Sequence, residues 1–356
     1  MPNRKLRFSY TPYTLHFKEP GGTSRGILTD KLTYLIKVES KDDPTVAAFG
    51  EVPVFPGLSH ESIEEVEEAL ENLIRIDNTD DIKEIKSISS LVFGLEQALN
   101  TLKHRGNLAF PSSFTSGHDS IIINGLIWMG DFNKMKERVL EKVNSGFRCI
   151  KIKIAAIRWE EELQLLRFIR DLAGNDVTIR LDANGGFEPD DCMRRLEDLE
   201  KFNIHSIEQP IKPTQYKAMR RICKNSPIPI ALDEELIGLT PGDIRSQILE
   251  YIRPSFIILK PALCYGFSGA EDWIKRVSNL QIGYWITSAL ESSVGLNAIA
   301  QFTGALHPEI PQGLGTGNLY TNNFTSPLNL RGQSLSYSPL SESYNSELEK
   351  LEWKTI

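Results

Sequence analysis

The sequence predicts an α/β fold, a TIM-like (β/α)7β barrel that follows an N-terminal α+β capping domain. Two observations predict it. From about residue 120 onwards, short apolar strands alternate with segments of helical periodicity, which indicates parallel strands joined by helices. Charged residues also stand at the carboxyl ends of several of these strands in turn, and a closed barrel carries its functional residues at that end of many strands.

The first part of the chain shows strands followed by helices, without βα alternation. Two long strands are expected on either side of the turn-prone stretch 19–24, and a third at residues 48–57. Ser62 and Glu65 have the spacing of a capping box at the start of a helix. The apolar stripe of that helix comprises Ile63, Val66, Leu70, Leu73 and Ile74. A second helix is expected at 88–102, and residues 1–115 are assigned to the capping domain.

The barrel is assigned to residues 116–325. Helices are expected at 133–144 and at 159–172, the latter ending at Gly174, and prolines stand near several helix starts. The predicted strands are 121–128, 149–155, 178–184, 206–210, 230–236, 256–261 and 283–288, with a weak eighth near 312–317. The polar segment 326–356 is expected to run back across the capping domain.

The strand at residues 149–155 reads C-I-K-I-K-I-A. Side chains alternate between the two faces of a strand, so burial of its isoleucines places Lys151 and Lys153 together on the other face. An isolated pair of this kind is typical of a solvated edge strand. The four strands that follow make an edge strand improbable here, because each of them also ends in a charged residue.

Asp182, Glu208 and Asp233 end three consecutive strands, and Lys260 ends the next one. Three carboxylates at one barrel mouth repel each other unless a cation lies among them. A purely oxygen ligand set favours a hard ion, Mg²⁺ or alternatively Mn²⁺. Lysines on both sides of such an ion suit removal of the proton next to a substrate carboxylate, because the ion stabilises the charge that develops. A structural metal site without chemistry is the plainer alternative.

Composition and charge limit the partners. The chain of 356 residues has a net charge of −7 and no basic run, which argues against nucleic acid. No apolar stretch approaches the length of a membrane span, and the first residues lack the apolar segment of a signal peptide. A cytoplasmic protein with reduced thiols is therefore expected. The four cysteines are widely spaced, and the oligomeric state stays open.

The motifs K-I-K-I, L-D-A-N-G, I-E-Q-P, A-L-D-E and I-L-K-P, in this order, resemble the muconate-lactonizing-enzyme subgroup of the enolase superfamily. The resemblance extends over nearly the whole chain, since that subgroup also has an α+β capping domain before its barrel. It implies a Mg²⁺-dependent enzyme acting on a small-molecule carboxylate through an enediolate. The stretches at residues 23–28, 50–59 and 288–296 favour a dehydratase branch of the subgroup, a carbon–oxygen lyase.

The resemblance also implies roles for individual residues. Lys153 would be the base and then the acid that helps hydroxide leave as water. Lys260 would hold the intermediate from the other side by its charge. Lys151 would contact the substrate carboxylate. Asp182, Glu208 and Asp233 would bind the metal. Asn184 and Ser288 would contact the substrate, with Asn184 alternatively supporting the metal ligands and Ser288 alternatively a packed serine.

Two other classes of function remain open at this stage. The same lysine pair would serve a racemase, epimerase or cycloisomerase of the subgroup. A dipeptide epimerase is less favoured, because residues 313–319 read G-L-G-T-G-N-L and offer no Asp for a dipeptide ammonium group. A barrel that binds metal or a partner without turnover is disfavoured, since all the carboxylates and lysines are present.

Overall fold

The computed structural model describes residues 6–23, 26–41, 43–75, 88–105, 108–339 and 343–356. The predicted turn at 19–24 and the stretch at 23–28 therefore lie partly outside the described residues. The described chain forms an antiparallel sheet with two helices, followed by a barrel of parallel strands wrapped by helices. Within these residues, no helix combines the length and apolar character needed to cross a membrane.

The first domain consists of three long strands and two helices. The alternating apolar residues of its strands pack against the helices in a single buried cluster. Its elements are β1 Leu6–Thr23, β2 Gly26–Ser40, β3 Asp43–Val52, α1 Ile63–Glu71, a 3₁₀ turn Asn72–Arg75, and α2 Ser89–Lys103. The predicted capping box is confirmed, because Ser62 Oγ accepts from the Glu65 N–H and the Glu65 carboxylate accepts from the Ser62 N–H.

Helix α2 lies unusually close to β3, and two glycines allow it. A Cβ on Gly50 would lie 2.1 Å from the carbonyl oxygen of Gly94, and a Cβ on Gly94 would lie 2.7 Å from the carbonyl oxygen of Glu51. No side chain fits at those distances. The two backbones therefore touch, which fixes the position of Glu51 relative to α2.

The barrel alternates strands and helices along the chain. β4 Ser120–Ile122 precedes the barrel, whose strands are β5 Gly125–Ile127, β6 Cys149–Lys153, β7 Thr178–Asp182, β8 Ile204–Glu208, β9 Ile230–Leu232, β10 Phe256–Leu259 and β11 Gly283–Ile286. The helices are α3 Phe132–Asn144, α4 Trp159–Ala173, α5 Pro189–Glu200, α6 Tyr216–Asn225, α7 Asp243–Ile252, α8 Gly266–Leu280 and α9 Ser293–Ala305, with 3₁₀ turns at Glu234–Leu236 and Pro261–Leu263.

Seven parallel strands pair in chain order from β5 to β11. Two residues close the barrel: Gln312 donates its N–H to the carbonyl of Ile122, just before β5, at 2.8 Å, and Gly313 donates to the Ile286 carbonyl of β11 at 2.8 Å. The weak eighth strand predicted near 312–317 is this short closing segment. The predicted barrel with an N-terminal α+β domain is confirmed.

The predicted strand at 121–128 is divided in two. β5 belongs to the barrel, whereas β4 pairs with the later hairpin strand β13. The division falls at Ile123 and Asn124, whose N–H groups donate to the carbonyls of Gln333 and Gln312. Pattern alone did not reveal it, because the residues on both sides are apolar and continuous.

The C-terminal segment contacts both domains. Its elements are β12 Leu328–Arg331, β13 Ser334–Tyr337, α10 Ser343–Glu349 and β14 Lys354–Thr355. β13 pairs with β4 at the start of the barrel, and β14 pairs with β1 of the first domain. Leu348 packs against Leu35 and Phe49 of the first sheet. The expected return onto the first domain thus involves residues 343–356, while the hairpin before them lies against the barrel.

Candidate active site

Strand register brings the predicted site residues to one level of the barrel. Lys153 is paired with Asp182 on the neighbouring strand, and Asp182 is paired with Glu208 on the next. Asp233 directly follows β9 and Lys260 directly follows β10. The isoleucines of β6 face the surrounding helices and are buried in the main core, so the lysines of that strand point into the barrel. The sequence alternation predicted this arrangement.

Lys151 lies between two carboxylates. Its Nζ is 2.8 Å from Asp182 Oδ2 and 2.6 Å from Glu208 Oε1, and all three side chains are buried. Burial alone would lower the pKa of Lys151, but the charges of Asp182, Glu208 and Asp233 prevail and raise it. Lys151 is therefore a fixed positive charge at the floor of the site.

Lys153 donates to two acceptors. Its Nζ is 2.6 Å from Asp182 Oδ2 and 2.6 Å from Asn184 Oδ1. Asn184 in turn donates from Nδ2 to Glu234 Oε1 at 2.9 Å. A carboxylate can only accept and an ammonium can only donate, so the Asn184 amide has one orientation between them.

On the opposite side, Lys260 contacts Asp233. Burial would lower the pKa of Lys260, and the charges of Asp233 and Glu234 raise it overall. Burial raises the pKa of Glu234, and the neighbouring Asp233 raises it further. Lys260 is thus held in its charged form.

The three predicted metal ligands are buried carboxyl groups with oxygen donors. Asp182, Glu208 and Asp233 are each at most 2% exposed, on adjacent strand ends. In the part of the chain that the structure describes, Glu208 Oε2 is buried without a hydrogen-bond partner. Burial and the charge of Asp182 raise the pKa of Glu208, whereas the adjacent lysines lower that of Asp182 against the effect of burial. The donor set suits a hard cation.

Ion pairs with lysines determine how the Asp182, Glu208 and Asp233 carboxylates are arranged. Among the described residues, no three Asp, Glu, His or Cys side chains lie close enough together to ligate one ion as they stand. Lys151 lies between Asp182 and Glu208, and Lys260 is bound to Asp233. Ligation by all three carboxylates therefore requires side-chain movement at the lysines, a feature that sequence reasoning did not anticipate.

The three lysines, Asp182 and Asn184 line a cavity of about 110 Å³, whereas Glu208 and Asp233 are not among its lining residues. Ser288 also lines it. Ser288 Oγ is 2.7 Å from Thr316 Oγ1. A larger groove of about 1000 Å³ lies on the outside between α6 and α7, and none of the predicted site residues lines it. The chemistry therefore belongs to the smaller cavity.

Several lining residues were not predicted. Asn124, Leu126 and Trp128 lie within the predicted strand 121–128, two others lie in the 50–59 stretch and Glu234 directly follows Asp233, but strand alternation does not single out any of them as a site residue. The unpredicted lining residues are Phe55, Leu58, Asn124, Leu126, Trp128, Glu234, Ala289, Leu290 and Thr316.

Arg180, which shares a strand face with Asp182, lies deeper in the barrel. Its guanidinium stacks on Trp285 at 4.0 Å and donates to the Pro311 carbonyl at 2.7 Å. The side chain is 1% exposed. It packs the barrel interior below the carboxylates.

The barrel, the acidic strand ends and the two flanking lysines define a class. Residues 134–336 match the family described as enolase C-terminal domain-like, and the chain belongs to that family. Within it, the chain is 41% identical to o-succinylbenzoate synthase of Desulfotalea psychrophila, over 94% of this chain and 99% of that protein.

Solved structures agree with this placement. The crystal structure of MenC from Desulfotalea psychrophila superposes with a TM-score of 0.82 at 38% identity, covering 93% of this chain and 99% of that one. A dipeptide epimerase from Cytophaga hutchinsonii, complexed with Mg and the dipeptide D-Ala-L-Val, also gives a TM-score of 0.82. Its identity is 21%, over 99% of this chain and 100% of that one. At that identity the second likeness concerns the fold alone.

Proposed function

We propose that this chain is an o-succinylbenzoate synthase. It catalyses the syn dehydration of 2-succinyl-6-hydroxy-2,4-cyclohexadiene-1-carboxylate to o-succinylbenzoate, an aromatic acid of menaquinone biosynthesis. The relative at 41% identity over nearly full length supports this substrate. The arrangement of lysines and carboxylates in the cavity supports the chemistry.

Asp182, Glu208 and Asp233 would hold a Mg²⁺ ion, with Mn²⁺ as an alternative. When bound, the ion neutralises charge that develops on the substrate carboxylate as the neighbouring carbon loses its proton. Lys151, whose ammonium group lies next to Asp182 and Glu208, adds a second positive charge for the same carboxylate. The chain's own residues carry out the proton transfers.

Lys153 is the base in this proposal. Its nitrogen is tetrahedral, and Asp182 Oδ2 and Asn184 Oδ1 each take one N–H. In the neutral amine these are the only two N–H bonds, so the lone pair points in a remaining direction. Lys153 also lines the cavity, so that direction is available to the substrate C–H. Asn184 then aims the base, in addition to its proposed contact with the substrate.

Lys153 carries out both proton transfers of the reaction. Lys153 takes the proton from the ring carbon beside the carboxylate and becomes an ammonium. It then returns that proton to the departing hydroxyl group on the same face, which leaves as water while the ring becomes aromatic. Lys260 stays charged beside Asp233 and stabilises the enediolate from the opposite face.

One observation carries the proposal. Lys153 ends β6 and Lys260 follows β10, four strands apart in a barrel closed by an eighth position. Both line the same cavity. Four steps around such a barrel lead to its opposite wall, so a planar ring between the two lysines presents one face to each.

The direct test is turnover. The purified protein with Mg²⁺ and the cyclohexadiene acid should generate an aromatic ultraviolet spectrum, and product should be identified by mass. Wild-type protein that leaves the acid unchanged, under conditions where the Desulfotalea psychrophila enzyme converts it, would refute the proposal.

A second candidate is a racemase, epimerase or cycloisomerase of the same family. The observation that favours it is again the lysine pair, because bases on two faces of one carbon allow two-base proton exchange. Incubation with N-succinyl or N-acyl amino acids in deuterated water separates the candidates. A racemase incorporates deuterium at the α-carbon, and a pure dehydratase leaves these compounds unlabelled.

A further inference from the structure

One wall of the cavity is the segment that follows β11, residues 287–290. The backbone of Leu290 has a φ angle of +62°, a left-handed conformation that residues other than glycine rarely adopt. Such a conformation persists only where the surroundings hold it. From the C-terminal side, the Tyr320 hydroxyl donates to the Leu290 carbonyl at 2.6 Å. The wall is therefore a held segment, and its position depends on its anchors.

The anchor at the other end comes from the first domain. Glu51 of β3 is buried, and both its carboxylate oxygens lie 3.0 Å from the Ser292 nitrogen. Its Oε2 also accepts from Ser292 Oγ at 2.5 Å and from the Gly295 N–H at 2.9 Å. A Cβ on Gly295 would lie 2.8 Å from this oxygen, so the helix start is shaped to admit the carboxylate. Glu51 thereby fixes the residues just beyond the wall.

Glu51 is itself held on the side of the first domain. Thr33 Oγ1 donates to Oε1 at 3.0 Å, and the Glu51 N–H donates to Gln97 Oε1 at 3.2 Å. Gln97 also donates from Nε2 to the Val294 carbonyl at 3.0 Å. The backbone of Gly50, on β3, also contacts α2. Together, this contact and these hydrogen bonds fix the Glu51 carboxylate relative to both domains.

Two further buried side chains lie in the same region. Lys31 Nζ has no hydrogen-bond partner among the described residues, and burial lowers the pKa of Lys31 while the charges of Glu51 and Glu291 oppose that shift. Glu291 Oε2 accepts from the Ala289 N–H at 2.6 Å, so this carboxyl group also contacts the wall. Glu291 is therefore a second hydrogen-bonded anchor of the segment that closes the cavity.

We infer that Glu51 is a positioning residue for substrate binding, which acts through Ser292 on the wall formed by residues 287–290. Ser288 and Leu290 contact the bound ring acid only if that wall is in place. This inference rests on the proposed function for the identity of the substrate. Glu51 belongs to the G-E-V-P sequence at residues 50–53, which takes no part in the proposed proton transfers. The inference gives this stretch a role in substrate binding.

Three variants test this role. Ser292→Ala removes a hydroxyl donor to Glu51 on the wall side. Glu51→Gln keeps the shape of the side chain but places an amide donor against backbone donors. Ser278→Ala removes an exposed hydroxyl of α8 that donates to the Ile274 carbonyl, so it is the matched control. We expect KM to rise about tenfold for Glu51→Gln and about threefold for Ser292→Ala, with kcat within about threefold of wild type. Ser278→Ala should change neither.

Hydrogen exchange of the free protein gives a readout that does not depend on turnover. The backbone amides of residues 287–292 should exchange faster in Glu51→Gln and Ser292→Ala, and at the wild-type rate in Ser278→Ala. Unchanged exchange and KM in Ser292→Ala, or equal effects in all three variants, would overturn the inference. Ser292→Ala decides if Glu51→Gln does not fold. Wild-type protein without dehydratase activity would refute the proposed function, while the exchange comparison would still decide the role of Glu51.

Discussion

Nζ of Lys151 lies 2.6 Å from Oε1 of Glu208, and both side chains are buried at the mouth of the barrel. The ion pair exists because two strands, β6 and β8, present their inward side chains at the same level on either side of β7. Glu208 keeps its second carboxylate oxygen free of hydrogen bonds within the described residues. One residue thus anchors a lysine and offers a ligand, which makes it the most informative position in the site.

Glu208→Gln should remove cation binding and turnover together. The amide has the same shape but no charge, so one of three carboxylate ligands is lost and Lys151 retains only Asp182 at 2.8 Å. We expect kcat/KM to fall by about 10² to 10³ or more. Calorimetric titration with Mg²⁺ measures the binding, and the exposed Glu141→Gln is the control. Normal Mg²⁺ affinity in Glu208→Gln would contradict the assignment of Glu208 as a ligand. Wild-type protein that stays active in EDTA would contradict the dependence of turnover on a metal ion.

Lys153→Ala and Lys260→Ala should each abolish dehydration while the fold and Mg²⁺ binding persist. Lys153 removes the ring proton and returns it to the leaving hydroxyl group, and Lys260 supplies positive charge on the other face, so either loss should cost about 10³-fold in kcat. The rate of aromatic product formation measures this, and the exposed Lys134→Ala is the control. Circular dichroism checks the fold. A variant of either lysine with turnover near that of wild type would show that its assigned role is wrong.

Much of this site could be predicted from the sequence because strands alternate. Lys151 and Lys153 share a face for that reason alone, and the acidic residues mark the ends of successive strands. The barrel followed from the even spacing of those strands. These features depend on local pattern, which the sequence contains in full.

Other features depend on contacts between distant segments, and pattern could not reveal them. The closing position of the barrel is only two hydrogen-bonded residues long, too short for periodicity to mark. Phe55 and Trp128 reach the cavity from loops of different domains. The pairing of Lys151 with two carboxylates is a balance of charge and burial that emerges only when the strands are side by side.

Asn184→Ala should lower kcat more than it raises KM. Asn184 takes one N–H of Lys153, and Glu234 fixes its orientation. Without it Lys153 is less well aimed, and we expect kcat to fall about 10- to 100-fold with KM within about threefold.

Glu234→Gln serves as the conservative partner, because its amide oxygen can still accept from Asn184. It should retain more activity than Glu234→Ala. The double variant Asn184→Ala with Glu234→Ala should be little worse than Asn184→Ala alone, because the two residues act through one hydrogen-bonded chain. A large increase in KM with unchanged kcat would instead identify Asn184 solely as a substrate contact.

The contribution of His205 to the stability of the folded chain should decrease on mild acidification. Its ring stacks on Phe256 with centroids 5.1 Å apart, and its Nδ1 lies 2.9 Å from Ser206 Oγ. Burial, with a smaller contribution from the charge of Arg180, lowers the pKa of His205 from 6.5 to about 4. The unfolded chain therefore binds more protons than the folded chain between these two values. This contribution is fully present above pH 6.5 and is lost as the pH falls towards 4, by about 2 kcal/mol between pH 7 and pH 5.

Urea unfolding at a series of pH values measures this loss. His205→Phe preserves an aromatic ring for the stack and cannot titrate, so its free energy of unfolding should fall by about 2 kcal/mol less than that of wild type over the same interval. The exposed His118→Phe is the matched control and should keep the wild-type pH dependence. If His205→Phe and His118→Phe lose stability in parallel with wild type, another group is responsible, and the ring of His205 is protonated as readily in the folded chain as in the unfolded one.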